Sequence, residues 1–308
     1  MPLPADLTAR LSLPLIAAPM TGVSGPELAV VACRNGVIGS FPTHNAANVE
    51  VLDEWLDQIG TAQSGHPDAA PLAPNLVVHR TNERLAADVD QLVAHGVELV
   101  ITSVGSPEPV VERLHAAGCL VFADVATLRH AQRALEAGAD GLVLLTAGAG
   151  GQTGSANPFA FVRAVREHFT GPLVLAGGIS DGHALLAAEA LGADLAYMGT
   201  GFIATTESLA PEDYQAAVVS ASLDDVRQTE QVGGLPANLL AAWLESQRAP
   251  MVSAGDFQAE RLTNGRTVWS AGHSVSGVHY ACSAAEVIDR VRLQYRDARN
   301  QLLEMPCR

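Results

Sequence analysis

The stretch LVLAGGISDGHALLAAEALGADLAYMGT, residues 173–200, decides the fold. An apolar run at 173–176 stops at paired glycines, a helix-period stretch follows at 182–191, and a second apolar run at 195–198 stops at Gly199 and Thr200. Runs that are apolar throughout, rather than alternating, are strands covered on both faces, and a helix between two of them makes a βα unit.

The same rhythm extends in both directions. Eight short apolar runs occur at 13–18, 37–40, 72–77, 99–103, 120–123, 141–145, 173–176 and 195–198. Helical patterns lie between them, at 26–35, 82–95, 107–117, 128–137, 158–168 and 182–191, and Gly36, Gly96, Gly118 and Gly138 supply left-handed C-caps. Eight parallel strands with interleaved helices in about 200 residues specify a closed barrel more naturally than an open sheet. The expected fold is α/β, a (β/α)8 TIM barrel with a small C-terminal helical cap. The expected division is a barrel over 1–205, a helical cap over 206–268 without strand signals, and a segment over 269–308 that returns to the barrel. Within the cap, helices are expected at 212–222 and 238–247, and the last stretch, 284–303, reads as one more.

Composition narrows the chemistry. The chain has 308 residues and a formal charge of -15, which disfavours nucleic acid and anionic membranes as partners. All 18 basic residues are arginine. Without lysine there is no Schiff-base aldolase, no pyridoxal-phosphate anchor and no Walker A loop. Cys33, Cys119, Cys282 and Cys307 lack CxxC spacing and read as reduced thiols. No HxH or HExxH pair supports a metal centre, so none is expected. The opening residues lack a secretory pattern and no run approaches a membrane span, so a cytoplasmic protein is expected.

Barrel active sites lie where strands end, and three such loops are rich in glycine: 146–154, 176–182 and 198–202. Glycine lets backbone amides approach a ligand, and loops after the last two strands of a barrel commonly hold phosphate. The stretch from Gly148 to Gly154 has GxGxxxG spacing and no acidic residue about 20 positions on, so it is not a dinucleotide fingerprint.

Taken in order, Pro14-Leu-Ile-Ala-Ala-Pro-Met20, Pro74-Asn75, Gly150-Gly-Gln-Thr-Gly154, Ala176-Gly-Gly-Ile-Ser-Asp-Gly182, Tyr197-Met-Gly-Thr200 and Trp269-Ser-Ala-Gly272 resemble the nitronate monooxygenase family. These are FMN-dependent barrels with a helical cap. The resemblance implies that Ala18, Pro19 and Met20 line the flavin ring and that Asn75 bonds it. It also implies that Gly150 and Gly151 run beside the ring and that Gly177, Gly178, Gly199 and Thr200 hold the FMN phosphate. Two positions depart from the family pattern. Gln152 stands where many relatives carry a catalytic histidine, and Asp124 stands where some place a lysine near the flavin N1–C2 carbonyl. Glutamine cannot act as a base near neutral pH. His79 and His44, near strand ends, become the other candidates for contact with substrate, with His273 behind them, whereas His183 reads as a surface residue. Trp269 is a candidate for the mouth of the site, and Trp55 and Trp243 for the core.

The resemblance implies oxidation of small alkyl nitronates with O2, in a possible homodimer. Two alternatives stay open from the sequence: an NAD(P)H-dependent flavin reductase of quinones or enoyl thioesters, and a barrel that binds a phosphorylated ligand without catalysis.

Overall fold

The computed structural model describes residues 3–232, 234–246 and 268–304. Seven parallel strands form one curled sheet: β1 (Leu15–Ala17), β2 (Asn75–Val77), β3 (Leu99–Ser103), β4 (Leu120–Val125), β5 (Gly141–Leu145), β7 (Leu173–Ala176) and β8 (Leu195–Met198), in the order β1-β8-β7-β5-β4-β3-β2. β6 (Gly151–Gln152) belongs to a second sheet.

The run at 37–40, expected as the second strand, is too irregular to form a continuous ladder, yet it closes the gap between β1 and β2. Ala17 donates to the Ile38 carbonyl at 2.9 Å on one side, and Ala73 donates to the Gly39 carbonyl at 2.8 Å on the other. Closure thus comes from two sets of single bridges, Ile16 to Ile38 and then Gly39 to Leu72 and Pro42 to Asn75. The (β/α)8 barrel expected from the sequence is the observed architecture.

Side chains alternate along each strand, one pointing into the barrel and the next toward the helices. Ile16, Ile101, Phe122, Val143, Val174 and Leu195 share the inner cluster. Leu15, Leu142, Leu144, Leu173 and Leu175 pack outward. One pleat further toward the C-terminal ends, the inward positions are Ala18, Ser103, Asp124, Leu145, Ala176 and Tyr197. The apolar layer plugs the barrel, and this second layer becomes the floor of whatever lies above it.

The helices are fixed by their ends. Asp181 accepts from Ala184 N at 2.9 Å to start Gly182–Leu191, and Thr127 does the same for Leu128–Glu136 through His130 N at 3.1 Å. Gly182 begins its helix under the C-terminal helix Ala284–Glu304, and a Cβ there would collide with the Tyr295 amide. The last glycine of the 176–182 loop is therefore a packing requirement.

Beyond the barrel, Glu212–Ser220 is helical as expected. The helix expected at 238–247 is corrected: residues Ala237–Leu240 form β10, and only Ala241–Ser246 is helical. β10 pairs antiparallel with β9 (Val226–Thr229) and with β6, so the cap carries strands as well as helices and shares its sheet with a barrel loop. No described helix is long and apolar enough to cross a membrane.

Candidate functional site

A cavity opens at the C-terminal ends of the strands. Its floor is the second inward layer of the barrel: Ala18, Ser103, Asp124, Leu145, Ala176 and Tyr197 all border it. The cap supplies the opposite side through Val232, Leu235, Pro236, Leu239 and Val268.

At the β1 end, Ala18 and Met20 lie in a turn locked by Asn45. Its amide donates to the Met20 and Ser24 carbonyls at 2.9 and 2.8 Å, and its oxygen accepts from Gly22 N at 2.9 Å. His44, the neighbour of Asn45, borders the cavity and its Nε2 shares a 3.0 Å hydrogen bond with the Thr21 hydroxyl. Burial and the nearby Arg84 charge push the His44 pKa down to about 4, so the ring is neutral near pH 7. His79 does not border the cavity among the described residues. Its Nδ1 instead bonds the Thr81 hydroxyl at 2.9 Å.

Along the β2–β4 wall, Asn75 is buried and its Oδ1 accepts from Ser103 Oγ at 3.1 Å. The Asn75 amide protons take no acceptor among the described residues and face the cavity. Asp124 borders the same space, and its Oδ1 is enclosed without a hydrogen-bond partner. Burial raises its pKa to about 8. Across the barrel the Tyr197 hydroxyl is likewise enclosed and unpartnered, and burial with the Asp124 charge raises its pKa well above the usual phenol value.

The β5 loop is held between barrel and cap. Gly148 O accepts from His273 N at 2.9 Å, Ala149 O accepts from Asn238 Nδ2 at 2.8 Å, and Gln152 pairs with Ala237. A Cβ on Gly150 would lie 2.7 Å from Gly272 N, so close approach of the 270–272 segment requires glycine there. Gly150, Gly151 and Gln152 all border the cavity. His273 does not, and its ring packs against Gly148. Trp269 stacks on Tyr214, with ring centroids 5.4 Å apart and planes 3° from parallel, while its neighbours Val268 and Ser270 reach the cavity.

At the β7–β8 end Gly177 and Gly178 have φ of +120° and +75°, which disfavours side chains. A Cβ on Gly177 would strike Thr146 Oγ1, whereas one on Gly178 would project into open space. The amides of Gly178 and Gly199 have no partner among the described residues. Thr200 Oγ1 accepts from Gly272 N at 2.9 Å and keeps its proton available to donate. No arginine borders the cavity among the described residues.

The sequence reading thus finds both ends of the cavity but not Ser103, Thr21 or Tyr197. For Ser103 and Tyr197 strand parity was the available signal, since each inward apolar residue of the plug marks, two positions later, a residue of the floor.

Known proteins similar to this chain bear the names of more than one activity. The chain is 26% identical over 227 residues to a (3aS,4S,5R,7aS)-5-hydroxy-7a-methyl-1-oxo-octahydro-1H-indene-4-carboxyl-CoA dehydrogenase of Rhodococcus jostii, covering 74% of this chain but 62% of that protein. It is 28% identical over 272 residues to a nitronate monooxygenase of Paraburkholderia phytofirmans, covering 74% of this chain and 73% of that one. Among solved structures, a nitroalkane oxidase of Streptomyces ansochromogenes superposes with a TM-score of 0.82 at 24% identity, over 97% of this chain and 100% of that one, which shows a shared fold. The nitronate monooxygenase family profile matches residues 73–292, and with the barrel and its capped cavity in place, this chain belongs to the nitronate monooxygenase family.

Proposed function

We propose that this protein is an FMN-dependent oxidoreductase that oxidises alkyl nitronates with O2 to carbonyl compounds and nitrite. The observation that carries the reading is a cavity with spare hydrogen-bonding capacity at both ends and no available base between them. The free amides of Gly178 and Gly199, with the Thr200 hydroxyl, form a neutral anion cradle suited to the FMN phosphate. The Asn75 amide and the enclosed Asp124 and Tyr197 groups suit the polar edge of its ring, and Ala18, Pro19 and Met20 supply an apolar wall. Bound FMN supplies electron acceptance from a carbanion and delivery to O2.

A nitronate arrives already deprotonated, so the chain need not remove a carbon-bound proton. Gln152 cannot do so, and His44, whose Nδ1 is unpartnered, is made a weak base by a pKa lowered to about 4. The residues therefore bind and orient the substrate and keep water from it, with the apolar groups of the cap facing the alkyl part.

The test is oxygen uptake by the FMN-loaded protein. Propyl nitronates should be oxidised and the neutral nitroalkanes hardly at all; no uptake with either removes the assignment. Gln152→His should raise nitroalkane turnover by about a hundredfold, the lower end of the range for an added base. A second reading is favoured by the apolar cap residues, which would also suit an enoyl thioester reduced by NAD(P)H. Anaerobic bleaching of bound FMN by NADH or NADPH at a catalytic rate selects that reading.

A further inference from the structure

Resting on the flavin reading above, we infer that Asp124 carries its proton at neutral pH and donates it as a hydrogen bond to an acceptor on the inner edge of the bound ring, as a ligand-positioning acid and not a base.

Geometry carries this. Asp124 is the inward residue of β4 one pleat above Phe122, so its side chain is part of the cavity floor. Its Oδ1 has no partner, and no arginine lies on the cavity wall among the described residues to pair with a carboxylate. A carboxylate with an enclosed oxygen and neither a cation nor a bonded donor is costly, whereas a carboxylic acid is a neutral donor waiting for an acceptor. The groups around it cannot relieve that demand from within the protein. Asn75 already has Ser103 as donor to its oxygen, which leaves only further donors facing inward. The Tyr197 hydroxyl, equally enclosed and unpartnered, lies close enough to respond to a charge on Asp124. The need at this wall is for a ligand edge that accepts.

Charges on neighbouring elements do not alter the balance. The flanking strands contribute Thr102, Ser103 and Val143, none of which titrates near neutrality. Outside β4, the helix Glu108–Ala116 carries Glu108, Glu112, Arg113 and His115, and the helix Leu128–Glu136 carries Arg129, His130, Arg133 and Glu136, all solvent-exposed. The remaining titratable groups on the cavity wall are His44, neutral near pH 7, and Tyr214, whose hydroxyl donates to Ser270 O. Burial alone raises Asp124, to about 8.

The experiment is FMN binding, read by flavin fluorescence, from pH 6.5 to 9.5 for the full chain and for Asp124→Asn. The wild-type affinity should hold to pH 7.5 and then fall, approaching tenfold per pH unit above about 8. Asp124→Asn keeps an N–H donor and should bind with no such slope, within roughly threefold of wild type at pH 7. An equal slope in both proteins, or none in wild type, overturns the inference and leaves the flavin reading standing. Failure of FMN to bind either protein at any pH overturns both. Should the variant not fold, wild type alone decides by infrared difference spectroscopy: FMN must shift a protonated-carboxyl stretch at pH 7, and absence of that shift overturns the inference.

Discussion

Two walls of the cavity each carry one ionisable group that burial has neutralised, and they differ in what surrounds it. At the β1 wall His44 Nε2 shares a hydrogen bond with Thr21 while its Nδ1 is enclosed without a partner, and its neighbour Asn45 clamps the 20–24 turn. At the β4 wall Asp124 has no protein partner for Oδ1, and Tyr197 opposite has none for its hydroxyl. Burial alone does not mark a ligand site, since it neutralises both groups. Spare hydrogen-bonding capacity marks it, because buried polar groups are nearly always satisfied by something. His44 keeps one enclosed ring nitrogen, Nδ1, without a partner, so the β1 wall also retains some capacity, less than the β4 side, where neither Asp124 Oδ1 nor the Tyr197 hydroxyl is bonded.

The sharpest way to break this contrast is to remove the capacity at one wall. Asp124→Leu should weaken FMN binding by about 30-fold, the effect of losing a buried hydrogen bond worth about 2 kcal/mol, without loss of stability to urea. A variant that unfolds, or binds FMN as wild type does, would show that the two walls play the same part.

The pH dependence of stability separates the walls without mutation. The His44 pKa falls from 6.5 to about 4 on folding, so the unfolded chain binds more protons there and stability rises with pH across that window. The Asp124 pKa rises from 3.8 to about 8, so the folded chain holds the proton and stability falls with pH across its own window. Between pH 4 and 6.5 the two slopes oppose. From pH 6.5 to 8 the Asp124 slope remains, and urea denaturation of the FMN-free protein should show a loss of about 1–2 kcal/mol that Asp124→Asn abolishes.

The smallest effect belongs to the other wall. His44→Ala should cost about 1 kcal/mol of stability, through lost packing and the lost Thr21 bond, and change FMN affinity by less than about threefold. A large loss of affinity with unchanged stability would place His44 at the ligand after all.

How far the sequence revealed this follows from where its signals are local. Strand runs such as 141–145 and 173–176 are legible because both faces are buried and the run is apolar throughout. The cap strands are not: Val226–Thr229 carries Arg227 and Gln228 exposed, and its pairing with Ala237–Leu240 is decided by tertiary contact. Glycine was legible as a marker of loops but ambiguous in purpose. Gly178 opens onto the cavity, Gly150 admits the 270–272 segment and Gly182 admits the C-terminal helix, three reasons that a one-dimensional pattern cannot separate. Asp124 and Gln152 stood out as departures from the family pattern. That Asp124 Oδ1 lacks a partner while one of the two His44 nitrogens has one depends on side chains distant in sequence, Thr21 among them.

The central claim is that the open capacity of this cavity belongs to FMN, with its phosphate at the Gly178 and Gly199 amides. A titration of the chain with FMN at pH 7, set beside Gly178→Ala, tests it most directly. The added methyl enters open space at a φ of +75°, costing stability by about 1 kcal/mol while obstructing the cradle. One FMN bound per wild-type chain, with affinity at least about tenfold weaker in the variant, is the predicted result, since one lost amide contact to a phosphate is worth at least about 1.4 kcal/mol. No binding to wild type, or equal binding to both proteins, would contradict it.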